Sequence, residues 1–254
     1  MSEYLYKYLR TEVFPTPFCP GCGHGILMGA ILRAVDELNL DFQKVVFVSG
    51  IGCGAWIPSP HFRADTLHTL HGRPVAYATG VKKMNPELNV VVISGDGDLA
   101  AIGGNHLIHA ARRNVPITVI CANNNIYGMT GGQLSPTTPK NSKTMTTMTG
   151  NPEEAFDLCK LVKSCGAKYV VRYTVFHTKP LIKAIKTALS ANQFAFIDVI
   201  SPCPTQYGRR NQLLTLFDMY SDIKTRVVHY NSLKELKPEE LSGKIIIGEY
   251  YDEN

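Results

Sequence analysis

Two short β-branched runs, Asn89-Val90-Val91-Val92-Ile93 and Ile117-Thr118-Val119-Ile120-Cys121, bracket a segment of helical character from Leu99 to Arg113. Runs that are apolar at nearly every position, rather than at every second one, belong to strands covered on both faces. Asn114-Val115-Pro116 ends the helix, because proline lacks the N–H that the next turn needs. Strand, helix and strand in this order make a βαβ unit of a parallel sheet, so the chain is expected to be an α/β protein.

Each run ends in a polar loop. Gly95-Asp96-Gly97-Asp98 follows the first and Asn124-Asn125-Ile126-Tyr127-Gly128 the second, with 28 residues from Asp96 to Asn124. Neighbouring parallel strands would place both loops at carboxyl ends, where open α/β sheets bind ligands. Gly95 and Gly97 let main-chain N–H groups approach phosphate oxygens. Asp96 offers a carboxylate oxygen and Asn124 an amide oxygen to a small, hard cation. Either loop alone reads as an ordinary turn. Spacing and strand context together point to a magnesium diphosphate site. The ligand most often held this way is thiamine diphosphate, which makes the chain a candidate enzyme subunit.

The alternation continues to about Ser201. Lys44–Val48, Tyr169–Arg172 and Phe194–Ile200 read as strands, and Glu153–Ser164 and Lys179–Ser190 as helices. Residues 1–201 are therefore expected to form one domain. From Pro202 the pattern changes to a loop, a short helical stretch around Leu213 to Tyr220 and an extended tail. Residues 202–254 read as an extension packed on the domain or on a partner, since about fifty residues bury too little core to stand alone.

A net charge of +5 is modest and its basic residues are spread out, so no nucleic-acid footprint is expected. It suits an acidic partner such as a small electron carrier. No apolar run reaches the ~18 residues of a membrane span, and the first residues show no secretory pattern. A cytoplasmic, non-membrane protein is expected.

Seven cysteines and no secretory pattern argue against a disulfide framework. Cys19-Pro20-Gly21-Cys22 is a tight Cys-x-x-Cys pair. Cys53 and Cys203 each stand just past a strand, at the sheet end that carries the polar loops. A pair plus two single thiolates can hold a [4Fe–4S] cluster. Zinc is a second reading, although structural zinc sites usually carry two such pairs. Buried free thiols are a third, and the natural one for Cys121, Cys159 and Cys165.

Taken in order, the Cys19-Pro20-Gly21-Cys22-Gly23-His24-Gly25 loop, Ser49-Gly50-Ile51-Gly52-Cys53, His68-Thr69-Leu70-His71-Gly72-Arg73, the Gly95 to His106 segment, the Asn124 to Gln133 segment and Ser201-Pro202-Cys203-Pro204 resemble the β subunits of 2-oxoacid:ferredoxin oxidoreductases. The most similar branch acts on 2-oxoglutarate. The resemblance runs from about Phe14 to Gly208. It implies the thiamine diphosphate-binding fold, a mostly parallel sheet with helices on both faces, with a C-terminal appendage. It also implies CoA-dependent oxidative decarboxylation of a 2-oxoacid, or the reverse, with electrons passed through the cluster to ferredoxin. The same chemistry on pyruvate, a branched-chain or an aryl 2-oxoacid is the alternative. A non-redox thiamine lyase or synthase is another, but it would not need the four cysteines.

Carried over by position, the resemblance implies a [4Fe–4S] cluster on Cys19, Cys22, Cys53 and Cys203. It implies Mg2+ on Asp96, Asn124 and the Ile126 carbonyl. Cofactor contacts fall to Ile51, Gly52, Cys53, Gly54, His71, Gly97, Asp98, Gly128 and Met129, with Met129 as the apolar wedge that bends the cofactor. Gly54-Ala55-Trp56 stands where many relatives carry small polar residues and a basic one, so no substrate role is transferred to that loop. A partner α subunit is expected to supply the glutamate that activates the aminopyrimidine. Gamma and ferredoxin-like δ subunits are allowed.

His68 with His71, and His106 with His109, are three apart, a spacing that would share a helical face. No carboxylate stands at a zinc-like spacing from either pair. His71, before Gly72-Arg73, reads as a polar, catalytic contact to cofactor or substrate. His24 is expected to start a helix behind the cysteine loop.

Overall fold

The computed structural model describes residues 3–251. Six strands run parallel: β1 (Val45–Ser49), β2 (Asp65–His68), β3 (Asn89–Gly95), β4 (Thr118–Asn123), β5 (Tyr169–Thr174) and β6 (Ala195–Ile200). The C-terminal region adds β7 (Val227–His229) and β8 (Ile245–Glu249). Together they form one sheet in the order β2-β1-β3-β4-β6-β5-β8-β7, in which β8 pairs antiparallel with β5.

Every residue of β1, β4 and β6 is buried, and successive side chains enter different layers. Val45 and Phe47 join α1 (His24–Glu37) and α5 (Thr178–Ser190) on one face. Val46 and Val48 join α2 (Pro74–Met84), α3 (Gly104–Arg112) and α4 (Leu158–Ser164) on the other. Period-two strands between two helical layers must be apolar on both sides, which is why these runs carry no alternation. Each such side chain contributes about 1.5–3 kcal/mol. Among the described residues, no helix is long and apolar enough to cross a membrane.

The chain leaves β1 toward β2 and returns to β3 on the opposite side of β1. This reversal opens a crevice between the carboxyl ends of β1 and β3, the place where doubly wound sheets bind ligands.

Four local expectations are revised. The helix expected over Leu99–Arg113 is a π-helical turn, Asp98–Ile102, followed by α3. Gly103 packs against the Asp98 carbonyl so closely that an added Cβ would lie 2.4 Å from it, a junction between the two helical segments that only glycine fits. The helix expected from Glu153 begins only at Leu158, where the Asp157 side chain accepts hydrogen bonds from the Cys159 and Lys160 N–H groups and sets the cap. His68 ends a strand and His71 lies in a turn, so they share no helical face. Beyond residue 202, α6 (Leu216–Arg226) is followed by two strands that extend the main sheet.

Candidate active site

Loops at the carboxyl ends of β1, β3 and β4 surround a cleft of about 260 Å³. All ten residues expected to touch the cofactor line it. Ile51, Gly52, Cys53 and Gly54 come from the loop after β1, Gly95, Gly97 and Asp98 from the loop after β3, and Gly128 and Met129 from the loop after β4. His71 completes the set. Asp96, Asn124 and Ile126 also face the cleft, joined by Tyr127 and Thr130, which the sequence reading did not single out.

Small residues let these loops close up. A Cβ on Gly54 would lie 3.0 Å from the Gly95 nitrogen, and one on Gly97 would lie 2.5 Å from the Tyr127 ring. The Tyr127 hydroxyl donates to the Gly97 carbonyl at 3.0 Å and keeps the ring over that glycine.

Asp96 is buried, and burial pushes its carboxyl above the usual range against the pull of its hydrogen bonds. Its Oδ2 accepts from the Ser135 and Thr137 hydroxyls. Its Oδ1 receives the Asn124 main-chain N–H at 3.3 Å, a longer contact that leaves this oxygen the better placed for a cation. The Asn124 side chain accepts the Ile126 N–H at 3.2 Å, which turns the loop so that both residues border the cleft. A buried carboxylate beside an amide oxygen fits a hard divalent cation. Ser135 and Thr137 were missed because nothing in their spacing announces them as clamps.

Asp98 has a different task. It accepts main-chain N–H bonds from Gly72 at 2.7 Å and Ile51 at 3.3 Å, together with the Ser94 hydroxyl. The Nδ1 of His71 lies against the same carboxylate, off the line of a good hydrogen bond. A carboxylate so committed, and of the wrong sign for a diphosphate, can offer an anion only its main-chain N–H.

The cysteine loops meet at the same rim. Gly23 lets the Cys19–Cys22 turn reach the loop after β6: its N–H donates to the Pro202 carbonyl at 3.3 Å, and an added Cβ would strike the Ser201 hydroxyl at 2.5 Å. His24 begins α1, is buried, and bonds Ser201 Oγ through Nδ1 at 2.8 Å. Burial lowers its pKa to about 4, so the ring is neutral. Burial, reinforced by neighbouring thiols, pushes Cys22 up to about 12 and Cys53 up to about 11. Cys203 and Cys53 sulfurs lie 3.5 and 3.9 Å from where a Gly128 side chain would begin. The thiol cluster and the cofactor cleft are thus adjacent. Cys121 and Cys159 are buried elsewhere in the core. His106 and His109 lie on α3, away from the cleft.

Comparison with known proteins agrees with this arrangement. Residues 50–199 match the family model of the thiamine pyrophosphate enzyme C-terminal TPP-binding domain. The 2-oxoglutarate synthase subunit KorB of Methanocaldococcus jannaschii is 50% identical over 97% of this chain and 91% of its own length. Its counterpart in Archaeoglobus fulgidus is 44% identical over 94% of this chain and 88% of its own. The 2-oxoglutarate:ferredoxin oxidoreductase of Magnetococcus marinus, solved with 2-oxoglutarate, coenzyme A and succinyl-CoA bound, superposes with a TM-score of 0.85 at 33% identity, covering 98% of this chain and 85% of that one. A thiamine-binding cleft at the switch point, with the matches spanning nearly the whole chain, makes it a β subunit of the 2-oxoacid:ferredoxin oxidoreductase family.

Proposed function

We propose that this chain is the catalytic β subunit of a 2-oxoglutarate:ferredoxin oxidoreductase, converting 2-oxoglutarate and coenzyme A to succinyl-CoA and CO₂, or running the reverse reaction. The observation that carries this reading is the junction at Gly128, where the loop after β4 comes close to the Cys53 and Cys203 sulfurs. A decarboxylase without a redox step has no use for thiols at that point.

In this reading Mg2+ is held by Asp96, the Asn124 amide oxygen and the Ile126 carbonyl, and the diphosphate by main-chain N–H groups around Gly52, Gly97 and Asp98. Cys19, Cys22, Cys53 and Cys203 hold the [4Fe–4S] cluster. Cys19 and Cys22 come from one tight turn, Cys53 and Cys203 from two separate loops, so the second Cys-x-x-Cys pair usual in a structural zinc site is missing and the set suits a multi-iron centre. When bound, thiamine diphosphate supplies carbanion stabilisation and the cluster takes electrons singly.

The protein supplies geometry. Asp98 fixes His71 so that its free edge borders the cleft, available to a substrate oxygen or cofactor nitrogen. Met129, half exposed at the cleft wall, offers an apolar surface to bend a cofactor over. Among the described residues no glutamate lines the cleft, and both aspartates there are committed to other contacts. The activating glutamate is assigned to a partner α subunit, and the chain alone is expected to be inactive. Its location is assigned to the cytoplasm.

The test is anaerobic purification of the complex with its α subunit, followed by iron and sulfide analysis, a visible spectrum, and acyl-CoA formation from 2-oxoglutarate, pyruvate and phenylglyoxylate. About four irons per β subunit and a preference for 2-oxoglutarate are expected. An iron-free complex with full activity would return the chain to the non-redox thiamine enzymes.

A further inference from the structure

Helix α6 breaks the ordinary pattern of a surface helix. Its inner face is satisfied: Met219 and Ile223 are buried, Met219 against Tyr207 and Ile126. One flank of its outward side is apolar as well. Phe217 is 74% exposed, and Leu216 and Tyr220 share its side of the helix. Leu214, 73% exposed, continues the patch from the preceding loop. Contiguous large apolar side chains facing solvent mark interaction sites. The patch is also held in a fixed shape. Thr215 and Asp218 form a reciprocal cap at the start of α6, with hydrogen bonds of 2.9 and 3.1 Å. The Tyr220 ring packs edge-on against Phe176 at 4.6 Å between centroids.

Its position is specific. The Leu216 side chain lies on Gly21, so close that an added Cβ would meet it at 2.5 Å. The patch therefore sits directly on the Cys19-Pro20-Gly21-Cys22 turn, and Cys19 is the one exposed thiol of the four. The charges around it are mainly positive. Arg209 is exposed just ahead of the patch, and Lys224 stands over the Tyr220 ring at 6.0 Å. Of the two acids on α6, Asp218 accepts the Thr215 N–H and Asp222 pairs with Arg226 at 3.3 Å.

We propose that the outer face of α6, centred on Leu214 and Phe217 and flanked by Arg209, is the docking surface for a small acidic iron–sulfur electron carrier. This rests on the function proposed above, in which the four cysteines hold the redox centre. Each transfer there moves one electron, oxidising the enzyme's cluster and reducing the carrier's. An apolar centre with a basic rim suits such a partner: burying Phe217 and Leu214 would supply affinity, and the rim would steer the approach. Docking over Cys19 brings the carrier to the most accessible edge of the thiol cluster.

The test uses the assembled complex with its α subunit, comparing wild type with Leu214→Ser/Phe217→Ser and with Arg209→Glu. Binding of a purified acidic ferredoxin is measured at several ionic strengths, alongside turnover with that ferredoxin and with benzyl viologen. The double variant is expected to weaken ferredoxin binding about tenfold or more, with viologen turnover unchanged. Arg209→Glu should weaken binding mainly at low salt. Unchanged ferredoxin affinity in both variants overturns the proposal, as does failure of the double variant to assemble, which would make α6 a subunit interface. A wild-type complex that binds thiamine diphosphate but never reduces ferredoxin would instead overturn the proposed function.

Discussion

The Asp98 carboxylate and the His71 ring are in contact across the crevice between β1 and β3, and Asp98 also accepts the Gly72 and Ile51 N–H groups. One side chain thus fixes the loop after β1, the turn carrying His71 and the start of the π-helical turn. The carboxylate holds the imidazole in place by close contact rather than by an aligned hydrogen bond.

His71→Ala is expected to lower turnover of the complex by about 10²-fold, with a smaller loss of thiamine diphosphate affinity. Asp98→Asn keeps an acceptor but removes the charge, so it should reproduce part of that loss, about tenfold. Steady-state rates and calorimetric cofactor binding separate the two effects. Full activity in Asp98→Asn would show that the contact is merely structural.

Asp96→Ala removes the carboxylate that Ser135 and Thr137 hold in place. Magnesium-dependent binding of thiamine diphosphate should be lost. The fold should persist, because the Ser135 and Thr137 hydroxyls left behind still bond each other at 3.2 Å. Calorimetric titration with and without Mg2+ checks this. Normal binding in the variant means Asp96 is not the metal ligand.

Much of this site was visible in residue order, for physical reasons. The runs Val90–Ile93 and Thr118–Cys121 advertise their burial because both faces of each strand are covered. Gly97 and Asn124 stand out because few residue types suit a loop that approaches an anion. Other parts had no local signal. Strand β2, Asp65–His68, has no fully buried residue and pairs only at the sheet edge, so its sequence lacks an apolar run. Strands β7 and β8 owe their place to pairing with distant β5. Ser135 and Thr137 act on Asp96 across a long stretch of chain, and only the folded loop brings them there.

Gly97 is required by a contact rather than by its backbone angle, since its φ of −65° suits any residue. A methyl group there would meet the Tyr127 ring at 2.5 Å. Gly97→Ala is therefore expected to weaken thiamine diphosphate binding by about tenfold or more, as the ring is pushed off its seat. Adding Tyr127→Leu should recover part of the loss, although it forfeits the hydroxyl bond to the Gly97 carbonyl. Strictly additive losses in this double-mutant cycle would contradict the steric account.

Arg172 links the diphosphate loop to the C-terminal strand. It donates to Asp198, to Asp157 and to the Tyr250 hydroxyl, each at 2.7 Å. Asp198 also accepts from Asn123 at 3.1 Å, one residue before the expected metal ligand Asn124. Removing Asp198 takes one of the two carboxylates from a buried guanidinium and leaves Asn123 without its acceptor, at a cost of about 3–5 kcal/mol, whereas losing the single bond from Arg172 to Tyr250 costs about 1.5–3 kcal/mol. Asp198→Ala should therefore destabilise the protein more than Tyr250→Phe. Burial draws the Asp157 carboxyl upward, but the Arg172 charge and hydrogen bond outweigh it and hold the group below the usual range. A depressed folded pKa gives stability that is complete above the unfolded value, about 3.9, and is lost as pH falls through the folded one. Unfolding midpoints should thus fall more steeply below about pH 4 in wild type than in Asp157→Asn. Matching slopes, or equal costs for Asp198→Ala and Tyr250→Phe, would mean that Arg172 does not hold the network together.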